Sequence, residues 1–487
     1  MSLSSVMSVA LSGLTVTSRA ADIVSSNISN AMTDGYGVRQ VSVTGQNLGN
    51  GGSGARVLGV LRIEDAALIG HRRRAEAEFA FGTTQGQHLN RLEGAIGIPD
   101  TPASLAARSA AFEAALTAAA ASPHNQVRLA GAVDAAVALA GTINGISDGI
   151  QAQRLAADGA IARGIERFNG ALGELATLNT RIRRDGGGAT DVSGLLDAQA
   201  RLVNDIAALV PLESRRDASG ALQLYSADGE ALLDGRAAVL GFSPVAVMTA
   251  ESTLADGALS GLTLNGRALA LDGPTAALAG GELAALFLQR DAWGPAAQRD
   301  IDAIARDLAA RLDAAGIDPT RAAGQPGLFT DAGAVPDAAT ETGLAARLRV
   351  NAAVLPDQGG AHWRLRDGLG AAVPGPGGAA GLLQAQRDAL AALRPTASGS
   401  FSATNRSFAG LVADHLSGVG MARQSAETRQ SHAAARLDVL RNEELAQGVN
   451  TDSEMLQLLR IEKIFAANAR VITAAQEMID QLIRMGR

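Results

Sequence analysis

The stretch that decides the fold is residues 458–482, LLRIEKIFAANARVITAAQEMIDQL, close to the carboxyl end of the 487-residue chain. Apolar or small residues recur in it at alternating intervals of three and four, which places them on one face of a helix. This spacing predicts a long helix that packs along another helix as in a coiled coil. The residues on this face are Leu458, Ile461, Phe465, Asn468, Ile472, Ala475, Ile479 and Leu482.

The amino end carries a matching pattern over residues 2–33, and Gly35 is placed to end that helix. We expect the two ends to pair as an antiparallel coiled coil, with Asn27 and Asn468 fixing the register. Polar residues that are buried in the seam, the line of contact between two helices, have this effect. The seam positions are Leu3, Val6, Ala10, Gly13, Thr17, Ala20, Val24, Asn27 and Ala31, widened by Met7, Leu11, Leu14, Ala21 and Ile28.

Two arrangements of these end helices fit the pattern. The helices pack on the body of their own protomer, or they pack against helices of other copies. Residues 1–18 carry no charged side chain, so no face of the first helix is strongly solvated. A helix without a charged face is usually surrounded by protein, which favours packing against other copies.

The chain between the ends is mainly helical, with a small β-rich insertion. Residues 36–62 look extended around a glycine-rich loop at 49–54, and the glycines at 186–188 break a helix. From 211 to 275 the apolar period changes to two, and Asn265-Gly266, between Leu264 and the pair Leu269 and Leu271, predicts a hairpin. Helical periodicity covers 64–95, 103–121, 124–184, 191–209, 281–315 and 403–446.

These patterns predict discontinuous domains. The paired ends, 1–35 and 450–487, form a terminal coiled-coil domain, and 211–279 form a β-rich outer domain. A region of mixed loop and helix spans 321–395. The helical domain combines 36–210, 280–320 and 396–449. Thr451 and Glu454 are expected to form a capping box at the start of the last helix.

Composition excludes several classes of function. Hydrophobic residues make up 47% of the chain and charged residues 19%, so most of it is expected to fold. The net charge of −7 gives no electrostatic footprint for nucleic acid, and the basic run Arg72-Arg73-Arg74 is expected to lie on a solvated helix face. No apolar run reaches the length of a membrane span, and the start of the chain lacks the basic region of a cleavable signal peptide.

The sequence offers no constellation of catalytic residues. The six histidines do not lie at metal-ligand spacing on one helix face, and the chain has no cysteine. The glycine runs at 186–188 and 374–378 lack the lysine and hydroxyl residue of a phosphate loop. We therefore expect no catalytic residue, no cofactor and no metal ion.

Residues 26–36 resemble the amino-terminal motif of flagellar rod, hook and hook-associated proteins, with Asp34 in place of its usual proline. The positions that match this axial motif are Asn27, Asn30, Thr33, Gly35, Tyr36 and the pair Arg39-Gln40. Residues 448–455, 465–472 and 477–483 resemble the carboxyl end of the hook–filament junction proteins, also called the first hook-associated proteins. Interior stretches at 195–210, 280–291 and 327–329 resemble the same family.

The resemblance implies a structural, noncatalytic subunit of the bacterial flagellum at the junction of hook and filament. Its partners would be further copies of itself, the hook protein, the next hook-associated protein towards the filament, and an export chaperone at the carboxyl-terminal segment. Such proteins are secreted through the flagellum without a cleavable signal peptide, and bind neither nucleic acid nor membrane. The alternatives are a hook or rod subunit and, in a different class, a free-standing helical adaptor or enzyme.

Overall fold

Long helices dominate the chain, as the three-and-four spacing predicted. The structure is a computed structural model that describes residues 3–33, 35–48, 51–98, 100–185, 191–270, 278–314 and 316–485. The α-helices in these ranges are α1 (Leu3–Ser29), α2 (Ala66–Ile96), α3 (Leu105–Ala121), α4 (Gln126–Asp185), α5 (Ser193–Ala207), α6 (Gly281–Leu288), α7 (Gly294–Leu312), α8 (Leu344–Arg347), α9 (Arg364–Asp367), α10 (Gly381–Ala391), α11 (Phe408–Gln447) and α12 (Thr451–Met485).

Strands form four small antiparallel sheets within the described residues. The sheets are the pair β1–β2, the four strands β3 to β6, the three strands β7 to β9, and the pair β10–β11. The strands are β1 (Val38–Leu48), β2 (Gly51–Ile63), β3 (Leu212–Arg216), β4 (Leu222–Ser226), β5 (Ala231–Asp234), β6 (Arg236–Ala237), β7 (Leu240–Gly241), β8 (Thr263–Leu264), β9 (Arg267–Ala268), β10 (Phe329–Asp331) and β11 (Leu348–Val350).

The β-rich insertion lies where the period of two predicted it, since β3 to β9 fall within 211–275. Asn265 and Gly266 join β8 to β9 with φ angles of 52° and 82°, the left-handed pair that a tight hairpin turn needs. The loop predicted over 49–54 is wrong for residues 51–54, which lie in β2. Residues 49–50, 186–188 and Leu271 lie outside the described residues.

Two apolar clusters form the core, and α4 takes part in both. Residues 129–150 of α4 join the first cluster, which also holds apolar residues of α3, α7, α10 and α11 and of the stretch 328–365. Residues 157–175 join the second, with α5, α6 and the β-rich insertion. At 1.5 Å per residue, the 60 residues of α4 span about 90 Å. One helix therefore runs through both clusters, while the predicted domain boundaries stay a prediction.

Among the described residues, α4 is the one helix long and apolar enough to cross a membrane by length and composition. A helix in the core of a folded protein passes the same test. Ile143, Phe168, Leu172 and Leu175 of α4 are all 0% exposed inside the two clusters. This packing accounts for the apolar composition of the helix.

The prediction that Arg72-Arg73-Arg74 is a solvated face is wrong for the first two arginines, each 6% exposed. The guanidinium groups of Arg72 and Arg73 both donate to Oδ1 of Asn204 on α5, and Arg72 also pairs with Glu444 on α11 at 2.5 Å. Burial and the positive charge of Arg72 lower the pKa of Arg73 to about 10. The arginine run therefore joins three helices.

The predicted capping box at the start of α12 is also wrong. The backbone N–H of Ser453 donates to Oδ1 of Asn450 at 3.0 Å, so Asn450 caps the helix instead of Thr451. Glu454 does not reach back to the cap, because its carboxylate accepts a hydrogen bond from α1. Glu454 therefore connects the start of α12 to α1 instead of capping its own helix.

The helix predicted over 281–315 is divided in two. Gln289–Trp293 form a π-helical turn between α6 and α7, where Pro295 removes a backbone donor from the hydrogen-bond ladder. The turn directs Arg290 into an ion pair with Asp158 of α4 at 2.7 Å, with both side chains 0% exposed. The irregular turn thus anchors α6 and α7 to the central helix.

Candidate assembly site at the paired terminal helices

The terminal helices α1 and α12 pack side by side in opposite directions. Asn27 near the end of α1 contacts Glu454 near the start of α12, and Gly13 lies against Asn468 fourteen residues further along. A Cβ at position 13 would lie 2.7 Å from Nδ2 of Asn468, so a larger residue there would force the Asn468 side chain to move. The antiparallel pairing predicted for the ends is therefore present in the structure, with both asparagines in the contact.

Most of the predicted seam faces the partner helix. On α1, Ala10, Val24 and Asn27 are buried, and the half-buried seam residues are Leu3, Val6, Leu14 and Ile28. On α12, Ile461 is buried, and the half-buried ones are Leu458, Asn468, Ile472 and Ile479. Phe465 and Leu482 depart from the prediction, since 46% and 54% of their surfaces stay exposed. Among the described residues, α1 is the helix that packs along α12, and it leaves these two side chains largely uncovered.

Asn27 is the centre of the polar contact between the two ends. Its Oδ1 accepts hydrogen bonds from the Tyr36 hydroxyl at 2.9 Å and from the Arg39 backbone N–H at 3.1 Å. Its Nδ2 donates to the Arg39 carbonyl at 2.9 Å and to Oε1 of Glu454 at 3.1 Å. These four bonds use the full capacity of an amide side chain. The 1% exposed asparagine therefore fixes the turn after α1 and the start of α12 together.

The other motif residues shape the turn that brings Tyr36 back to Asn27. Asn30 Nδ2 donates to the Ser26 carbonyl at 2.9 Å, and the Tyr36 N–H donates to the Thr33 carbonyl at 3.1 Å. Gly35 has φ of +74°, and a Cβ there would lie 2.8 Å from Cγ of Arg201 on α5. The position of the turn against α5 thus requires glycine. Asp34 lies outside the described residues.

Arg39 and Gln40 have different surroundings, although they are adjacent in the motif. The guanidinium of Arg39 lies 4.7 Å from the centre of the Tyr36 ring and donates to Asp197 at 2.6 Å. Gln40 is exposed on β1, opposite Leu61 of β2. The structure therefore brings Arg39 into the polar cluster and leaves Gln40 outside it.

Asp197 of α5 and Arg62 of β2 complete the cluster, and sequence reasoning did not single them out as site residues. Oδ1 of Asp197 accepts from the Gly37 N–H at 3.1 Å and from Arg62 Nε at 2.9 Å. Arg62 also donates to the Gly35 carbonyl at 3.0 Å. The available signal was Asp197 itself, a charged residue among the apolar residues of an amphipathic helix. A buried carboxylate at such a position needs a partner. Through Asp197 the terminal helices are attached to the body.

The rest of the described chain shows no arrangement typical of catalysis. No group of three or more His, Cys, Asp or Glu side chains in the described residues could hold a metal ion. Burial raises the pKa of Asp302 to about 6, but its carboxylate accepts hydrogen bonds from the backbone N–H groups of Gly343 and Ala345. Burial likewise lowers the pKa of His88, which stacks on Trp293. These groups hold core elements together.

Two hollows open on the surface of the body. One, of about 700 Å³, lies between α4 and α5, with Glu174, Arg201 and Asp205 in its lining. The other, of about 580 Å³, lies between α4 and the stretch 330–358. Neither lining includes a histidine.

The outward surface of α12 is unusually apolar for an exposed helix. Large hydrophobic residues there keep 42–79% of their surface exposed, and only three residues of the helix are buried. Extended apolar surface on a folded chain marks a site of protein interaction. The exposed residues are Met455, Leu456, Leu459, Ile464, Phe465, Val471, Met478, Leu482, Ile483 and Met485.

Comparison with known proteins places this arrangement in a class. A family model described as flagella basal body rod protein matches residues 7–36. A second model, described as flagellar basal body rod FlgEFG protein C-terminal, matches residues 446–485. These two matches coincide with α1 and its turn and with α12. The paired ends therefore define an axial protein of the bacterial flagellum.

The interior identifies the family within that class. The model described as flagellar hook-associated protein FlgK helical domain matches residues 89–329. The flagellar hook-associated protein 1 of Salmonella typhimurium is 26% identical over 244 residues, and that of Escherichia coli is 25% identical over 245. Over this interior the chain is similar to the flagellar hook-associated protein 1 family, as the resemblance of its motifs predicted.

The match to these relatives is partial. It covers 48% of this chain and 44% of each relative, so the chain matches less than half of their length. The solved structure of the flagellar hook junction protein FlgK from Burkholderia pseudomallei is 17% identical, with a TM-score of 0.43 over 54% of this chain and 46% of that one. The family assignment rests on the family models and the sequence relatives.

Proposed function

We propose that the chain is a structural subunit at the junction of hook and filament, needed for filament assembly, and that it assembles through α1 and α12. The observation that carries the proposal is the exposed apolar surface of α12 beside a seam that α1 covers. A helix needs packing to persist, because its own hydrogen bonds contribute little net stability in water. All of α12 and residues 7–29 of α1 lie within the segments that match the flagellar rod models.

The partners follow from the same surface and from the family. Further copies of the chain, the hook protein and the next hook-associated protein would pack against the terminal helices. An export chaperone would cover the apolar surface of α12 before assembly. Exposed apolar surface of this extent favours aggregation until a partner covers it, which supports such a role.

We propose that the protein is secreted to the flagellum and retains residues 3–29. These residues form α1, whose Ala10, Val24 and Asn27 are buried in the contact with the rest of the chain. Cleavage of this segment as a signal peptide would remove one half of the helix pair. Export along the flagellum itself would leave the helix in place.

A hook or rod subunit is the second candidate, because both end models describe rod proteins. The match of residues 89–329 to the FlgK helical domain favours the junction. A catalytic role has no support from the titratable groups described above. We propose that the protein is not an enzyme and uses no cofactor.

Gene deletion followed by electron microscopy of the cells separates these possibilities. We expect complete hooks without filaments, with flagellin lost to the medium. Hooks that are themselves missing would assign the protein to the rod or hook. Normal motile flagella would contradict a role in the flagellar axis altogether. Re-expression of the unaltered chain is the matched control.

A further inference from the structure

We propose that α12 has a second packing face, and that it docks on the outward face of α1 in a second copy of this chain. The inference rests on the proposed function, since it names the partner of the same terminal helices. It goes further by stating which face of each helix meets the other and at what register.

The second face of α12 is a stripe of exposed residues. At 100° per residue, this stripe lies about 100° around the helix from the seam that α1 covers. Ile464, Val471 and Met478 on it are 52%, 42% and 47% exposed. Its members recur at intervals of three and four and are Leu456, Arg460, Ile464, Ala467, Val471, Ala474, Met478 and Leu482.

The outward face of α1 is also a stripe, and nearly all its members are small. The Ser8 hydroxyl donates to the Ser5 carbonyl and the Thr15 hydroxyl to the Leu11 carbonyl, so these groups can be buried without losing a hydrogen bond. Small side chains also let helices approach closely. The exposed members are Ser4, Ser8, Leu11, Thr15, Ser18, Asp22, Ser25 and Ser29.

The two stripes have the same spacing when α1 is followed forwards and α12 backwards. Aligning Leu11 with Val471 in an antiparallel pair brings five further positions of each stripe into register. The resulting pairs are Ser4 with Met478, Ser8 with Ala474, Thr15 with Ala467, Ser18 with Ile464 and Asp22 with Arg460. In two of these six pairs, Ser4 with Met478 and Ser18 with Ile464, a large side chain faces a small one, and the two pairs of small residues let the helices approach closely.

The register of these pairs agrees with the contact already present inside one chain. Within one chain, Asn27 lies opposite Glu454 and Gly13 lies opposite Asn468. The proposed contact between copies sets the two helices at the same height along their axes, to within one residue. Copies related by rotation about an axis parallel to their helices keep that level. A closed ring of copies would therefore alternate α1 and α12 without sliding either helix.

Charge complementarity supports a second copy as the occupant. Asp22 is the only acidic residue on α1, and Arg460 is the only charged residue on the second face of α12. Both are exposed, and neither forms an ion pair within the described part of the chain. In the aligned pair they lie opposite each other.

Disulfide cross-linking tests the register, and the natural absence of cysteine makes the result clear. Thr15→Cys and Ala467→Cys chains are expressed together in cells that lack the natural gene, and isolated flagella are oxidised. We expect a dimer whose linked peptides contain one cysteine from each chain. The control replaces Ala467→Cys with Glu477→Cys, an exposed site about 80° around α12 and about 15 Å along it from Ala467, and should give at least tenfold less dimer.

The outcomes separate this inference from the proposed function. Filaments that form normally without the Thr15–Ala467 dimer would overturn the docking geometry alone, as would equal dimer from the Glu477→Cys control. Linkage of Ala467→Cys to a different flagellar protein would show that another partner covers this face. Absence of the unaltered chain from isolated flagella would overturn both.

Reversing the charges of Asp22 and Arg460 gives a second test. It does not depend on contact between the cysteines at positions 15 and 467. We expect Asp22→Arg and Arg460→Asp each to reduce the number of filaments per cell several-fold, and the double variant to recover most of the loss. Both residues are exposed in the single chain, so the thermal unfolding of the purified variants should not change. A double variant as defective as the single ones would contradict the pairing.

Discussion

The central helix α4 and the terminal helix α12 carry the same kind of apolar repeat, but they complete it differently. α4 buries 22 of its 60 residues against other parts of the chain, whereas α12 buries three of 35. The repeat in α4 is covered within one molecule, and most of the repeat in α12 is not. The comparison teaches that an apolar repeat of this kind specifies a helix that packs against something. The fraction of the helix's residues that is buried then indicates whether the element that covers the repeat belongs to the same chain.

The largest expected effect is on the body. Phe168→Ala removes a ring that is 0% exposed in the second apolar cluster and should lower the free energy of unfolding by about 3–5 kcal/mol. Ile461→Ala, on the seam of α12, should leave the body transition unchanged. Urea unfolding followed by fluorescence reports on the body, because both tryptophans, Trp293 and Trp363, lie there. A shift of equal size in both variants would break the distinction between the two regions.

A charge in the terminal seam should have the next largest effect. Ile472→Asp places an unpaired carboxylate at a half-buried position of α12, at a cost of at least about 2 kcal/mol to packing. We expect no incorporation into flagella and an unchanged tryptophan transition. Ile472→Val is the matched control and should incorporate. Incorporation of the aspartate variant at the normal level would contradict the role of the seam.

Loss of the central amide should loosen the helix pair without unfolding it. Asn27→Leu leaves the Tyr36 hydroxyl, the Arg39 backbone and the Glu454 carboxylate without their partner and should weaken the pairing by about 1–2 kcal/mol. Hydrogen exchange of the α12 amides in the purified chain should become faster, while exchange in α4 stays slow. Ser25→Ala, at an exposed position of α1, is the control. Unchanged exchange in α12 would mean that the amide does not hold the ends together.

The smallest expected effect is the acid sensitivity of the body. Burial lowers the pKa of His415 below its usual 6.5, while Asp300 opposes that shift, and Nε2 is buried with no hydrogen-bond partner among the described residues. The unfolded chain therefore binds the proton first, so stability is complete above pH 6.5 and is lost as the pH falls towards the folded-state pKa. Between pH 7.5 and 5.5 we expect a loss below about 1 kcal/mol per histidine, and a smaller loss in His415→Phe.

The contrast with the ends sharpens this prediction. α1 and α12 contain no histidine, so the same change of pH should not speed hydrogen exchange in their amides through this mechanism. His432→Phe, at an exposed position of α11, serves as the control and should keep the natural pH dependence. An identical pH dependence in the His415→Phe chain would assign the sensitivity to other groups.

Periodicity was sufficient to predict the helices and the β-rich insertion, because the spacing of apolar residues is local. The role of the first two residues in the Arg72–Arg74 run was missed, because Asn204 and Glu444 approach them only in the folded chain. The capping box failed for a related reason. Asn450 is the stronger local cap, and Asn27, more than 400 positions away, engages the carboxylate of Glu454.

The candidate site was predictable to a similar degree. The motif identified Asn27, Tyr36 and Arg39, and the hydrogen bonds that Asn27 makes with the other two span 9 and 12 residues of the chain. Asp197 and Arg62 were not found, since their role depends on how α5 and β2 meet the turn. A local motif reveals its own residues, while the residues that support it come from distant parts of the sequence.

The passage of α4 through both apolar clusters has a mechanical consequence. Bending the molecule between the clusters would require breaking the hydrogen-bond ladder of a single helix about 90 Å long, near Arg154, where α6 and α7 are anchored. We therefore expect the body to transmit torque from one end to the other with little bending. Compliance is left to the connection at Gly448, where α11 joins α12.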